Sequence, residues 1–176
     1  MIRRGWISVP LLILIGLAAG FVWHTGRSLP ESVASHFDFS GAPNGFTSRL
    51  FYVRSMLAFA VVLPLLLNFA MSRLLRIPNA RINMPNRDYW LAPERRDSTI
   101  DLLLQFMNVF AALLVIFLCY VHWCVVRANL AQPPALHNTW FLSGFGVFMF
   151  SVIAWVVALR RRFRRLSIVG AVRSIA

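Results

Sequence analysis

LLLQFMNVFAALLVIFLCYVHWCVV, residues Leu102–Val126, decides the fold of this chain. It carries no charged side chain and no proline, and it exceeds the ~20 residues that cross a hydrocarbon core at about 1.5 Å rise per residue. Three more uncharged apolar runs stand at Trp6–Trp23, Ser55–Met71 and Thr139–Leu159. The chain is 59% hydrophobic with a mean hydropathy of +0.66. A water-soluble domain of 176 residues could not hide that much apolar surface. The expectation is an all-α integral membrane protein. It is one membrane domain over residues 1–176, with four transmembrane helices at about 6–23, 51–71, 102–126 and 139–159.

The basic residues orient those spans. There are 18, every one an arginine, and the formal net charge is +12. Arg3 and Arg4 precede the first run. Arg73, Arg76, Arg81, Arg87, Arg95 and Arg96 fill the segment between runs two and three, and Arg160, Arg161, Arg162, Arg164, Arg165 and Arg173 follow the fourth. The alternate loops hold only Arg27, Arg49 and Arg127, with Arg54 at the edge of the second run. Positively charged loops stay cytoplasmic. Both termini and the segment 72–101 are therefore expected inside, with loop 24–50 outside. The start Met1–Arg4 followed by Leu17-Ala18-Ala19 resembles a cleaved signal peptide, but the apolar stretch runs on to Trp23, and a retained span is expected.

Charge of this size raises nucleic acid as a partner. The arginines abut apolar spans instead of forming one face of a soluble domain, which excludes it. Anionic lipid is the expected partner, at about 1 kcal/mol per basic residue near the surface. Arg160, Arg161, Arg162, Arg164 and Arg165 make the densest such patch. Cys119 and Cys124 lie five residues apart on one helix, point in different directions and cannot bridge.

Polar residues inside the spans form one stripe. Asp101, Gln105, Asn108, Cys119 and His122 recur on one face of the third run, interrupted by Ala112 and Val115. Asn68 stands at about the depth of Gln105 and Asn108. It is expected to meet one of them, because an amide in lipid needs a partner. Such contacts are worth about 0.6 kcal/mol each; a proton or ion path is the sharper alternative. Pro64 should kink the second span and free a carbonyl. Ser98-Thr99-Ile100-Asp101 has the letters of a capping box for the third helix. Gly16 and Gly20, and more weakly Ala154 and Ala158, have the spacing of helix-packing faces inside the bundle.

The loop 24–50 is where function is expected. Ala42-Pro43-Asn44-Gly45 suits a tight turn. His36-Phe37-Asp38-Phe39 alternates polar and aromatic residues as a short strand does, and the phenylalanines are expected to fold the loop onto the helix ends. His24, His36, His122 and His137, with Cys119 one turn below His122, all fall on the outer side. Together they are candidates for Zn²⁺ or copper, though no tight ligand spacing occurs. No nucleophile stands with a base at a recognisable spacing, and Ser35, His36 and Asp38 are too close in sequence for triad geometry.

Leu29-Pro30, His36, Ser40-Gly41 and Pro43-Asn44-Gly45, directly before a span, resemble the signature of a bacterial membrane domain of unknown function, the N-terminal part of the SdpI immunity protein. Asn44 stands where that pattern has Asp. The likeness covers about the first 70 residues, and the segment Ile82–Arg96 is also similar to proteins carrying the domain. The resemblance implies a multi-pass protein of the bacterial plasma membrane and, through SdpI, an immunity role. The leading expectation is therefore non-enzymatic, immunity- or sensor-like binding of an envelope ligand, such as a peptide, with His36, Asp38, Gly41, Asn44 and Gly45 as ligand-binding residues and no cofactor. The runner-up is a membrane enzyme or metal-handling accessory protein built on the outer histidines. A small transporter is disfavoured by the single polar stripe.

Overall fold

The computed structural model describes residues 6–77 and 82–164. Four helices in it are long and apolar enough to cross a membrane, which makes the chain a multi-pass membrane protein. Helix α1 is Val9–Gly26. A hairpin follows, with strand β1 at Ser32–Phe37 and strand β2 at Pro43–Ser48. The second spanning helix has three parts: α2 at Arg49–Leu57, a π-helical turn at Ala58–Val62 and α3 at Leu63–Arg76. The short helix α4 is Arg87–Trp90. The long helix α5 is Arg96–Leu130, and α6 is Asn138–Arg164. Helix α5 is the mast of the bundle, packing against α1, α3 and α6.

Local chemistry explains the boundaries. Ser8 caps α1, and its backbone N–H in turn donates to Asn108 Oδ1 at 2.8 Å. Ser48 caps α2 by accepting from Phe51 N. Pro64 has no N–H to give, and the π turn lies immediately before it, so the expected disturbance of the second span is found there.

Three expectations are corrected here. The fold is not purely α, because loop 24–50 contains the two-stranded hairpin. The capping box is not used. Helix α5 begins two residues before Ser98, whose Oγ donates to the Arg95 carbonyl, while buried Thr99 donates to the Trp90 carbonyl at 2.8 Å. Gly16 and Gly20 do not pack inside the bundle either; both are exposed, with open space where a Cβ would stand. The close approach is made by Gly144 instead, which lies flat against the Tyr120 ring between α5 and α6.

The end of the bundle away from the hairpin is closed by segment 82–96. Asn86, in the left-handed region at φ 52°, donates through Nδ2 to the Phe163 and Arg164 carbonyls at 3.1 Å each. Trp90 Nε1 donates to the Phe163 carbonyl at 2.8 Å, and Arg162 lies 5.4 Å over the Trp90 ring. Arg96 donates to the Ile77 carbonyl at 2.9 Å, at the end of α3. The last carbonyls of two spanning helices are thus satisfied by side chains from one segment. Its content of Asn, Trp and Arg has this structural reason.

Candidate functional site

The hairpin is docked onto the ends of α5 and α6 by hydrogen bonds to its backbone. Asn129, buried near the end of α5, holds Ala34 like a neighbouring strand. Its Oδ1 accepts from Ala34 N at 2.8 Å, and its Nδ2 donates to the Ala34 carbonyl at 2.9 Å. At the tip, Leu136 N donates to the Gly41 carbonyl at 2.9 Å, and Asn138 Nδ2 donates to the Phe39 carbonyl at 2.8 Å. Gly41 has φ +87°, and a Cβ there would strike the Leu136 carbonyl oxygen. Below the hairpin, Val22, Leu29, Val33, Tyr52, Val53 and Met56 form one apolar cluster, with Phe37 packed against it. Phe37 therefore anchors the loop as expected. Phe39 does not: it stands fully exposed at the tip.

The turn is built by Asp38. Its Oδ1 accepts from Ser40 Oγ at 2.6 Å, Ser40 N at 2.8 Å and Ala42 N at 3.0 Å. The Ser40 hydroxyl, followed by these backbone amides, holds the carboxyl below the ordinary carboxylate range. The clamp of the turn is thus Asp38. His36 of β1 lies opposite Gly45 of β2, which has no side chain to displace its ring; a Cβ there would come 3.1 Å from the His36 Cβ. Its Nδ1 is 3.0 Å from Ser35 Oγ, and the ring is otherwise exposed. Two register shifts flank His36 and turn it out of simple alternation.

Between the hairpin and the helix ends lies a cavity of about 600 Å³. Its hairpin wall carries Ser35, His36, Phe37, Asp38, Phe39 and Asn44. Its helix wall carries Val121, Cys124, Val125, Phe141 and Leu142, with Leu136 from the α5–α6 connection and Asn138 from the first residue of α6. A cavity of this size is within the usual range for small-molecule sites. Of the five residues expected to bind a ligand, His36, Asp38 and Asn44 line it, while Gly41 and Gly45 shape the backbone around it.

The other candidate residues are dispersed. His122 is fully buried in α5. Thr25 Oγ1 donates to the Phe21 carbonyl at 2.7 Å, so it accepts from His122 Nε2 at 2.8 Å; Nδ1 is then the acceptor for Tyr52 OH at 3.1 Å. Both ring nitrogens are occupied, so His122 is not available as a metal ligand in this arrangement. His24 is exposed near the end of α1, His137 stacks on Trp140 at 4.6 Å, and Cys119 packs into the mid-bundle core. The five expected metal ligands do not converge, and no group of three or more His, Cys, Asp or Glu able to hold an ion occurs among the described residues.

The polar stripe is also rearranged. Asp101, Gln105 and Asn108 line a cleft of about 510 Å³ between α1 and α5, with Ile7, Leu11 and Leu14 opposite. Asn68 does not reach them. It is fully buried in α3, its Nδ2 turned back to the Pro64 carbonyl at 3.0 Å and its Oδ1 without a partner. The expected pairing fails because Asn108 is engaged elsewhere, accepting from Ser8 N and donating to the Leu104 carbonyl at 2.7 Å. Arg160, Arg161, Arg162 and Arg164 are exposed on the last turns of α6; Arg165 lies outside the described residues, as do Arg3, Arg4, Arg81 and Arg173.

Residues 11–67 match the family model described as a domain of unknown function, DUF1648. No curated protein and no solved structure matches the chain. The DUF1648 match takes in most of α1, the whole hairpin, α2 and the start of α3. It therefore holds the hairpin wall of the cavity, whereas Asn129, Asn138 and the helix wall lie beyond it. Sequence reading missed Asn129. Its signal was a polar residue just past the apolar run, a few positions before Pro133, and nothing in that pattern points at a strand.

Proposed function

We propose that this chain is a non-enzymatic protein of a bacterial plasma membrane, with both termini inside and the hairpin on the outer face, where it binds an envelope ligand in an immunity- or sensor-like role. The arginine distribution supports the orientation. The DUF1648 match supports a membrane-type domain of unknown function, and the comparison with an immunity protein rests on the likeness of residues 29–45 to the SdpI signature. One observation carries the binding role: the cavity beneath the hairpin is walled by groups that the fold leaves unused. Asn44 and the Nε2 of His36 have no protein partner among the described residues, whereas Asn129 and Asn138 are engaged in docking the hairpin and Ser40 in its turn. In this reading no cofactor is needed, and the exposed arginines of α6 rest on anionic lipid.

The test joins orientation to function. In a Cys119→Ala, Cys124→Ala background, Phe39→Cys should label with a membrane-impermeant maleimide in intact cells, and Arg87→Cys should not. A deletion strain should be more sensitive than its parent to at least one class of membrane-active peptide. Labelling of Arg87→Cys from outside, or a deletion strain indistinguishable from its parent across the peptide panel, contradicts the proposal.

A further inference from the structure

The chemistry of the cavity walls narrows the ligand. The hairpin wall is polar and carries both signs of polar chemistry. Asp38 uses only Oδ1 to hold the turn; its Oδ2 has no protein partner among the described residues, and an exposed carboxyl is ionised at neutral pH. With Nδ1 accepting from the Ser35 hydroxyl, His36 Nε2 carries the ring proton, and it and the Asn44 amide offer hydrogen-bond donors on the same wall. The helix wall is apolar, formed by Val121, Val125 and Phe141. It lies at the level of the stacked rings of Trp123 and Trp140, 5.4 Å apart, and of Tyr120, whose hydroxyl donates to the Trp140 carbonyl. Such an aromatic cluster marks the headgroup level of a bilayer. The cavity thus runs from polar hairpin to apolar helix across the interface itself.

From this we propose that the cavity holds a zwitterionic aminophospholipid of the outer leaflet. Its ammonium lies at the Asp38 carboxylate, its phosphate at His36 and Asn44, and the start of its acyl chains on Val121, Val125 and Phe141. Charge complementarity selects this occupant. A purely anionic head meets the Asp38 charge, and a quaternary ammonium has no N–H to give to that carboxylate. The proposal rests on the outer-face reading of the hairpin and deepens it: the site is a lipid-loaded sensor surface, whose lipid an envelope ligand would displace or read.

The test uses the full chain purified in detergent, titrated with phosphatidylethanolamine, phosphatidylcholine and phosphatidylglycerol of identical acyl chains, and with glycerophosphoethanolamine as a chain-free head. Phosphatidylethanolamine near saturation should raise the melting temperature by roughly 5 °C more than the other two lipids, and the chain-free head should not. Asp38→Asn keeps an acceptor for the turn and removes the charge, so it should fold and lose the preference for phosphatidylethanolamine over phosphatidylglycerol. His36→Gln, which leaves the turn untouched, should weaken phosphatidylethanolamine binding about tenfold. Equal shifts by all three lipids, or an undiminished preference in folded Asp38→Asn, overturns the proposal. So does an equal shift by the chain-free head. None of these results bears on maleimide labelling or peptide sensitivity, so the binding role stands or falls separately.

Discussion

Asn129 and Ala34 share two hydrogen bonds across a helix–strand junction, 2.8 Å from the Ala34 N–H and 2.9 Å to its carbonyl. The second Nδ2 hydrogen reaches the Val125 carbonyl at 2.9 Å, which fixes the amide to its own helix. A two-stranded hairpin alone is marginally stable in water. This junction, with the buried Val33 and the half-buried Phe37 beneath it, is what makes the hairpin a fixed wall of the cavity.

Asn129→Leu should therefore release the hairpin while leaving the spans in place. Two buried backbone groups of Ala34 lose their partners, each costing about 1–3 kcal/mol. Hydrogen exchange should show Ser32–Ser48 losing protection while α1 and α5 keep theirs. Uniform loss of protection would mean that the junction holds the bundle as well.

Gly41→Ala places a Cβ against the Leu136 carbonyl at φ +87°. Backbone strain of about 1–3 kcal/mol is expected from the conformation alone, and the hydrogen bond from Leu136 N to the Gly41 carbonyl should weaken with it. Thermal unfolding measured beside Gly16→Ala, a site with open space, gives the comparison. Equal effects at the two glycines would refute the docking geometry of the tip.

The depressed carboxyl of Asp38 links the turn to pH. Its folded value lies below the unfolded one, so its contribution is complete above the unfolded value of about 4 and is lost as pH falls through the folded value. Exchange of the amides of Ser40 and Ala42 should rise only below about pH 4. Asp38→Asn should flatten that dependence. Loosening of these amides between pH 5 and 7 would point to a different titrating group.

Asn68 is the opposite case. Its Oδ1 is buried without a partner and its Nδ2 only returns to the helix at Pro64. Replacing an unsatisfied buried amide with an apolar side chain of similar size is neutral or stabilising. Asn68→Leu should unfold at or above the wild-type temperature; a loss of more than about 1 kcal/mol, the scale of one net hydrogen bond, would show that the amide has a partner in the membrane.

The spans were legible in the sequence because lipid imposes one rule on every turn of a crossing helix, and uncharged apolar runs announce it. The strand at His36 was half legible. Its alternation was visible, but the register shifts on either side of His36 broke the pattern and left Phe39 in solvent, so one of two expected anchors was false. Side-chain partners were the least legible. Asn108 was expected across from Asn68 by depth, yet depth does not fix rotation, and the nearer unsatisfied donor was the start of α1 at Ser8. His122 looked like a ligand because histidine patterns carry no information about neighbouring hydroxyls. Thr25 and Tyr52, far apart in sequence, claimed both of its nitrogens.

The central claim is that the hairpin cavity binds, with His36 acting on a ligand and not on the fold. It is tested most directly by complementing the deletion strain with His36→Gln under challenge with membrane-active peptides, beside the melting temperature of the purified variant. The account predicts failed complementation with melting within about 2 °C of wild type, as expected of a substitution costing less than about 1 kcal/mol. Full complementation by a variant of normal stability would contradict it.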